Sequence, residues 1–217
     1  GKRVPPNLTR APLPPAPLEP TEKYWSDIRA RFLVPPDLGF INAANLCPTS
    51  LQVVETLEKH TRALDANPSS ATRAVLQAGR EESRRLIAAM IHATPEEVVL
   101  TRNTTEANNF VSSGLTLGAG DEVVLFGDNH PSNLDAWRVK SKRFGFTLVE
   151  VPATLPHPGT DFYVDAFAKA ITPRTKLMSI THVTNTIGDM LPVTELCRMA
   201  RGRGVLSHVD GAQSFGV

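Results

Sequence analysis

Apolar residues in the first hundred positions recur at the spacing of amphipathic helices. A short helix is predicted over 21–34, with Thr21 as its N-terminal cap. A short apolar stretch follows at 38–44. Two longer helices are predicted over 49–67 and 70–93, where apolar side chains return every three or four residues. This part of the chain is therefore expected to be mainly helical.

After residue 95 the pattern changes to short apolar runs that alternate with helical segments. Polar residues do not alternate along these runs, so both faces of each predicted strand should be buried. Burial on both faces is typical of a parallel sheet covered by helices. The expected fold class is therefore α/β, a mostly parallel sheet flanked by helices. The predicted strands are 98–101, 122–127, 146–152, 176–183 and 205–210.

Three regions are expected along the chain. Residues 1–37 form a proline-rich arm and a short helix, 38–95 a helical segment, and 96–217 an α/β domain. The first twenty residues hold seven prolines, which excludes a helix or a central strand there. An extended arm packed on a partner and a disordered tail are equally compatible with this composition.

Composition excludes several classes of protein. The 217 residues carry a net charge of +1 without blocks of like charge, so neither nucleic acid nor an anionic membrane is an expected partner. The chain contains no apolar run long enough to span a bilayer. Its two cysteines, Cys47 and Cys197, lack CxxC spacing, so neither a disulfide framework nor a zinc knuckle is expected.

Polar residues follow the predicted strands at the edge where ligands bind in α/β sheets. Thr104 and Thr105 begin a helix after a strand, and free N–H groups and hydroxyls at a helix start suit a phosphate. Taken alone, this segment is more simply explained as an ordinary helix cap, with Asn103 or Thr104 at the cap position. His130 precedes Pro131 at another helix start. Its ring can stack on a planar ligand or exchange a proton, although an exposed loop histidine is the simpler explanation.

Two further strand ends carry an amide and a carboxylate. Asn185 follows strand 176–183, where it either binds a ligand or bonds its own backbone in a turn. Asp210 directly follows an apolar run, and an unpaired buried carboxylate is costly. A pyridinium N–H would satisfy it, and Gln213 lies close enough in sequence to donate to a ring oxygen. The alternative role for Asp210 is the cap of a following helix.

Together these strand ends offer a phosphate anchor, a stacking ring, oxygen ligands and a partner for a ring nitrogen. This set matches pyridoxal 5'-phosphate (PLP), which needs a protonated ring nitrogen to stabilise a carbanion. A metal site built from His182, His208, Asp189 and Asp210 is the rival interpretation. It is weaker, because these residues lack a recognised ligand spacing.

Three segments resemble the class V aminotransferase family of fold-type I PLP-dependent enzymes, which includes cysteine desulfurases, kynureninase and isopenicillin-N epimerase-like proteins. "TRNTTEANN" is similar to the family's phosphate loop, "HVTNTIGDMLPV" to its Asn-bearing strand end, and "HVDGAQSFG" to its Asp-x-x-Gln segment. The resemblance covers residues 38–217 and implies a fold-type I large domain that binds PLP and acts on an amino acid.

The resemblance also implies residue roles. Asp210 would pair with the ring nitrogen and His130 would stack on the ring, so these two are the expected catalytic residues. Thr104 and Thr105 would bind the phosphate. The phenolic oxygen of the cofactor would be bound by Asn185, with Gln213 nearby.

Two segments outside the strand ends also match. "FINAANLCPTS" resembles the family segment that lines the substrate site, so Asn42, Ala43 and Ala44 are expected to approach substrate. Residues 66–73 match a segment often found at the family's dimer interface, and a homodimer is expected. No metal ion is expected.

One family feature is not matched. The family's Schiff-base lysine follows the Asp in a Ser/Thr-x-His-Lys stretch, whereas none of the seven residues after Asp210 is lysine. We therefore expect a further C-terminal portion or a companion polypeptide to supply it, and otherwise a catalytically silent subunit. Transamination, desulfuration, lyase action and epimerisation all stay open. A cytoplasmic location is expected, with export as the alternative.

Overall fold

The computed structural model describes residues 16–44 and 46–216. These residues form two compact units that divide between Val99 and Leu100. Most of the proline-rich arm, residues 1–15, lies outside the described residues. The three expected regions, with boundaries after residues 37 and 95, remain predictions.

The first unit consists of the three predicted helices and a short 3₁₀ turn over Pro95–Glu97. Helices α2 and α3 lie close to their predicted positions, and the first helix is shorter than expected. The side chain of Thr21 caps that helix by accepting the N–H of Tyr24 at 3.3 Å. The helices are α1 (Glu22–Arg29), α2 (Leu51–Ala66) and α3 (Ser70–Met90).

The early end of α1 is the first correction to the sequence prediction. The helix was expected to continue to residue 34, but the guanidinium of Arg29 donates hydrogen bonds to the carbonyl oxygens of Pro35 and Leu38, at 3.1 and 2.7 Å. Those bonds hold the following segment folded back against the end of the helix. The chain therefore turns after Arg29 and does not complete another helical turn.

The second unit alternates helices with strands, as the sequence predicts. Each strand is followed by a helix, until β4 leads into a turn. The helices are α4 (Thr104–Gly114), α5 (Pro131–Phe144), α6 (Thr160–Ala170) and α7 (Val193–Gly202). The strands are β1 (Glu122–Phe126), β2 (Thr147–Val151), β3 (Thr175–Thr181) and β4 (Leu206–Asp210).

The four strands form one parallel sheet in the order β2-β1-β3-β4. The register pairs Phe126 with Val151 and Thr181 with Asp210, so the carboxyl ends of the strands lie side by side. This arrangement confirms the predicted α/β class. It also brings the segments that carry the polar candidates to one edge of the sheet.

Helices cover both faces of the two central strands, β1 and β3. The outer strands β2 and β4, which were also expected to be buried, are only partly buried, because each has a single neighbouring strand in the described part of the chain. Alternate residues of β1 point to opposite sides. Val124 and Phe126 pack with α6 and α7 in one apolar cluster. Val123 and Leu125 pack on the other face in a cluster that includes Trp137 of α5. Burial on both sides explains why β1 is a continuous apolar run.

The predicted strand over 98–101 is wrong. In the described residues this run pairs with no strand. Val98 is buried and its carbonyl accepts the Nε–H of Arg84 at 2.9 Å, but Val99 is largely exposed. An apolar run becomes a strand when a neighbouring backbone completes its hydrogen bonds, and here a side chain supplies the bond to Val98.

The strand order places a topological switch point between β1 and β3. The chain moves outward from β1 to β2 and then crosses back over β1 to form β3 and β4. The loops after β1 and β3 therefore lead to helices on opposite faces of the sheet, α5 and α7. A crevice between such loops is the usual ligand-binding position in open α/β sheets.

The core that supports this sheet is testable at Phe167, which is fully buried on α6 and packs near Phe126. Phe167→Ala should lower the free energy of unfolding by about 3–5 kcal/mol, because it leaves a cavity in a close-packed core. Urea denaturation measures the change. Phe162→Ala, an exposed residue on the same helix, is the matched control, and equal losses in both variants would contradict this assignment of the core.

Candidate active site at the carboxyl ends of the strands

The loops on either side of the switch point are joined directly. The hydroxyl of Thr186, in the loop after β3, donates to a carboxylate oxygen of Asp128, in the loop after β1, at 2.6 Å. His130 follows in the first loop and Asn185 lies in the second. The structure thus brings together the two loops that carry these predicted site residues.

Gly127 fixes the start of the first loop. A Cβ at this position would lie 2.9 Å from Oε1 of Glu150 and 3.3 Å from the backbone of Pro152 and Val151. The N–H of Gly127 also donates to the carbonyl of Val151 at 2.8 Å. The start of the loop is therefore packed closely on the end of β2, and a side chain at this position would require the Glu150 side chain to move and the backbone of Val151 and Pro152 to shift slightly.

His130 is the N-terminal cap of α5, with Pro131 at the first helical position. Its Nδ1 accepts the backbone N–H of Ser132 at 3.1 Å and lies 2.8 Å from the Ser132 hydroxyl oxygen. His130 is therefore a helix cap and not the exposed loop histidine of the simpler explanation. The cap bond occupies one ring nitrogen, while the ring is half-buried.

Asn185 lies in a tight turn after β3. The N–H of Thr184 donates to the carbonyl of Asp189 at 2.9 Å, and the Thr184 hydroxyl accepts the N–H of Asp189 at 3.1 Å. Gly188 adopts a positive φ of 77°, which closes the turn. Thr184 thus makes the local bonds that hold the turn, and the half-buried Asn185 side chain bonds no other described residue of this unit.

Thr104 and Thr105 occupy the first two positions of α4. Asn103 is the cap, because its side chain accepts the N–H of Glu106 at 2.9 Å. Neither threonine hydroxyl bonds a described residue of this unit. The start of α4 therefore offers two hydroxyls beside the positive end of a helix dipole.

Asp210 is the last residue of β4 and is 4% exposed. Its Oδ1 accepts the N–H of Ala212 at 3.1 Å and its Oδ2 accepts Nδ2 of Asn108 at 3.2 Å. It forms no ion pair with any described residue. An ionised carboxylate can accept about four hydrogen bonds, so this buried group retains accepting capacity. A turn, not a helix, follows it, so the predicted alternative of a helix cap is wrong.

Asn108 is a site residue that the sequence analysis missed. It is fully buried on α4, four residues after Thr104. Residues four apart share a helix face, so the phosphate candidate and the amide that reaches Asp210 lie on one side of α4. The sign of this role in the sequence is a polar residue four positions after Thr104 in the same predicted helix.

A buried polar network lies beneath Asp210 on the α5 side of the sheet. The Ser179 hydroxyl, in β3, accepts Nε1–H of Trp137 at 3.2 Å, donates to Oδ1 of Asn133 at 3.0 Å and lies 3.0 Å from Nδ1 of His208. Burial lowers the pKa of His208, and the negative charge of Asp210 acts in the opposite direction. His208 is thus a half-buried histidine whose Nδ1 belongs to this network.

Some predicted residues lie outside this cluster of contacts. Asn42, Ala43 and Ala44 belong to the first unit, where Oδ1 of Asn42 accepts the N–H of Ala44 at 3.2 Å. Their substrate role remains a prediction, and so does the role of 66–73 at a dimer interface. Gln213 is half-buried in the turn after Asp210.

The metal interpretation has no geometric support within the described residues. No three His, Cys, Asp or Glu side chains of that part of the chain come together. Nδ1 of His182 instead lies 2.8 Å from the Ser214 hydroxyl. No helix in the described part of the chain is both long and apolar enough to cross a membrane.

The parallel sheet, its flanking helices and the polar set at its carboxyl edge define the large domain of a fold-type I PLP-dependent enzyme. The family model described as aminotransferase class-V matches residues 42–217. The chain belongs to this family, whose members are PLP-dependent enzymes.

Curated relatives include a probable cysteine desulfurase of Methanothermobacter thermautotrophicus, 33% identical over 195 residues, which cover 88% of this chain and 47% of that protein. An isopenicillin N epimerase of Streptomyces clavuligerus is 31% identical over 194 residues, or 88% and 48% of the two chains. The chain thus spans about half the length of these relatives.

Solved structures agree with this relationship. A mutant of C-DES with glycine covalently linked to its PLP cofactor superposes with a TM-score of 0.79 at 26% identity, covering 87% of this chain and 50% of that one. The apo cysteine desulfurase of Thermococcus onnurineus gives a TM-score of 0.74 at 27% identity, with 87% and 48% covered.

The burial of His208 makes stability depend on pH. The unfolded chain takes up a proton near the ordinary histidine pKa of about 6.5, whereas the lower pKa of folded His208 delays protonation. The free energy of unfolding should therefore fall as pH drops below about 6.5 and level off once folded His208 is protonated. Urea denaturation across pH 7 to 4 measures this slope.

His208→Gln should reduce the slope, because Gln cannot titrate. His157→Gln, at an exposed histidine, is the control and should retain it. An unchanged slope in His208→Gln would show that other groups cause the acid sensitivity.

Proposed function

We propose that this chain is the cofactor-binding portion of a PLP-dependent enzyme that acts on an amino acid. One observation carries the proposal. Asp210 is a buried carboxylate at the carboxyl edge of the sheet, it accepts bonds from two neutral donors, and no described cation pairs with it. A buried carboxylate favours a positively charged partner, and a protonated pyridine nitrogen supplies that charge.

Other polar residues at the same edge of the sheet suit the phosphate, the ring face and the phenolic oxygen of PLP. Thr104 and Thr105 would bind the phosphate with their hydroxyls and with the free N–H groups of the first turn of α4. His130 would lie against the ring, in the orientation that its cap bond to α5 gives it. Asn185 and Gln213 would donate to the phenolic oxygen.

Bound PLP supplies an electron sink for a carbanion formed on the substrate. The task of Asp210 is to keep a proton on the ring nitrogen, because a cationic ring withdraws electrons more strongly. The α4 helix dipole and its hydroxyls hold the dianionic phosphate in place. The turn at Thr184 presents Asn185 from the opposite side of the switch point.

A sulfur-containing amino acid is the substrate class that we favour. The relatives named above include a probable cysteine desulfurase, and C-DES itself is described in a second structure as a cystine C–S lyase. The isopenicillin N epimerase supports a second candidate, racemisation at the α-carbon of an amino acid. Asn42, Ala43 and Ala44 would contact this substrate.

The lysine that such enzymes need would come from sequence outside this chain. In the second unit the lysines lie away from the carboxyl edge of the sheet. Lys140 and Lys142 are on α5, Lys169 is near the end of α6, and Lys176, near the start of β3, lies 3.7 Å from Asp121. We propose that a further portion of the polypeptide, or a companion chain in a dimer, supplies the lysine.

Asp210→Asn tests the proposal in the full natural polypeptide that contains these residues. The amide keeps the size of the side chain but loses its charge, so it should bind PLP about ten- to a hundredfold more weakly, the worth of a hydrogen bond to a charged group. PLP titration followed by absorbance measures affinity, and turnover of cysteine or cystine measures activity.

Asp135→Asn, at an exposed position on α5, is the matched control and should behave like the unchanged protein. Equal PLP affinity in Asp210→Asn and in the control would overturn the role given to Asp210. PLP binding without turnover of any amino acid would instead support the alternative of a catalytically silent subunit.

A further inference from the structure

Asn108 links the two expected catalytic residues through hydrogen bonds. Its Nδ2 donates to Oδ2 of Asp210 at 3.2 Å and reaches the Ser132 hydroxyl oxygen at 3.5 Å. That hydroxyl lies 2.8 Å from Nδ1 of His130. A continuous path therefore runs from the carboxylate at the end of β4, through α4, to the histidine at the start of α5.

The chemistry of the groups fixes the direction of these bonds. Asp210 as a carboxylate only accepts, so the side chain of Asn108 must present its NH₂ group. Nδ1 of His130 accepts the backbone N–H of Ser132 at 3.1 Å and is therefore not protonated. The Ser132 hydroxyl is consequently the donor of the 2.8 Å contact and shares the single Nδ1 lone pair with the main-chain N–H, while its oxygen can accept from Asn108. Each proton in the path has one acceptor.

We infer that Asn108 and Ser132 are positioning residues, which hold the Asp210 carboxylate and the His130 ring in the orientations that a bound pyridine ring requires. The inference rests on the proposed function and goes beyond it, since neither residue touches the cofactor in that proposal. Asn108 acts through Asp210, and Ser132 acts through His130.

The carboxylate is held from two sides. The N–H of Ala212 binds Oδ1 and Asn108 binds Oδ2, so rotation about the Cβ–Cγ bond would break both bonds. The lone pairs of the Asp210 oxygens that can still accept hydrogen bonds then point in a fixed direction. Buried polar networks confer this kind of rigidity when each member has a partner.

Hydrogen bonds at Nδ1 hold the histidine ring in one orientation. The main-chain N–H and the hydroxyl of Ser132 both reach Nδ1, so the ring cannot turn over without losing these bonds. The main-chain bond does not depend on the serine side chain, whereas the hydroxyl adds a second bond that holds the plane of the ring that we expect to stack.

The decisive experiment compares two ligands in Asn108→Leu, made in the full natural polypeptide. The ligands are PLP and its carbocyclic analogue, in which C–H replaces the ring nitrogen. Only PLP can engage Asp210 through that nitrogen. The unchanged protein should prefer PLP, and Asn108→Leu should reduce this preference about tenfold or more, while affinity for the analogue changes little.

Asn109→Leu is the matched control, because Asn109 is exposed and donates to the main-chain oxygen of Thr105. It should retain the preference. Circular dichroism establishes that each variant is folded, and Asn108→Ala replaces the leucine variant if leucine prevents folding. A full preference for PLP in the folded Asn108 variant would overturn the inference while leaving the proposed function intact. Equal binding of both ligands by the unchanged protein would overturn both.

A second pair of variants tests Ser132. Ser132→Ala keeps the main-chain bond to Nδ1 but loses the hydroxyl bond, so the ¹⁵N signals of the His130 ring should broaden or shift as the ring becomes less restrained, whereas Ser132→Thr keeps the hydroxyl and should preserve them. His130→Gln assigns the signals. Identical ring signals in the alanine variant and the unchanged protein would overturn the role of Ser132.

Discussion

The buried carboxylate of Asp210 is the constraint on which the candidate site depends. Asp210 ends β4 beside Thr181 of β3, where parallel pairing fixes its backbone. Desolvating an ionised carboxylate costs several kcal/mol, and two neutral donors recover only part of that cost. In the proposed binding mode a cationic ligand would supply the missing partner, and each neighbouring group would position one part of that ligand.

Much of this arrangement could be predicted from the sequence, because it follows from burial and topology. The apolar runs at β1 and β3 are buried on both faces, so they indicated a parallel sheet. Parallel strands bring their carboxyl ends to one edge of the sheet, so the sequence alone places His130, Asn185 and Asp210 at that edge.

The remaining features depend on tertiary contacts that a linear pattern does not contain. The run at 98–101 is as apolar as a strand, yet a guanidinium from α3 bonds Val98 and no strand pairs with it. In the sequence, Asn108 is one of two adjacent asparagines in a predicted helix, and nothing distinguishes it from Asn109. Its importance comes from a contact with Asp210, 102 residues away in sequence. Ser179, similarly, joins side chains from α5 and β4 that no spacing connects.

In the proposed binding mode, helix α4 fixes the distance between the two ends of the ligand. Thr104 and Asn108 lie on one face of this helix, about 6 Å apart along its axis at 1.5 Å per residue. Thr104 would bind the phosphate, and Asn108 would orient the Asp210 carboxylate at the opposite end of the ring. Because the rise of a helix is fixed, four residues of backbone would set the length of ligand that the site accepts, and inserting or deleting one residue there would change that length.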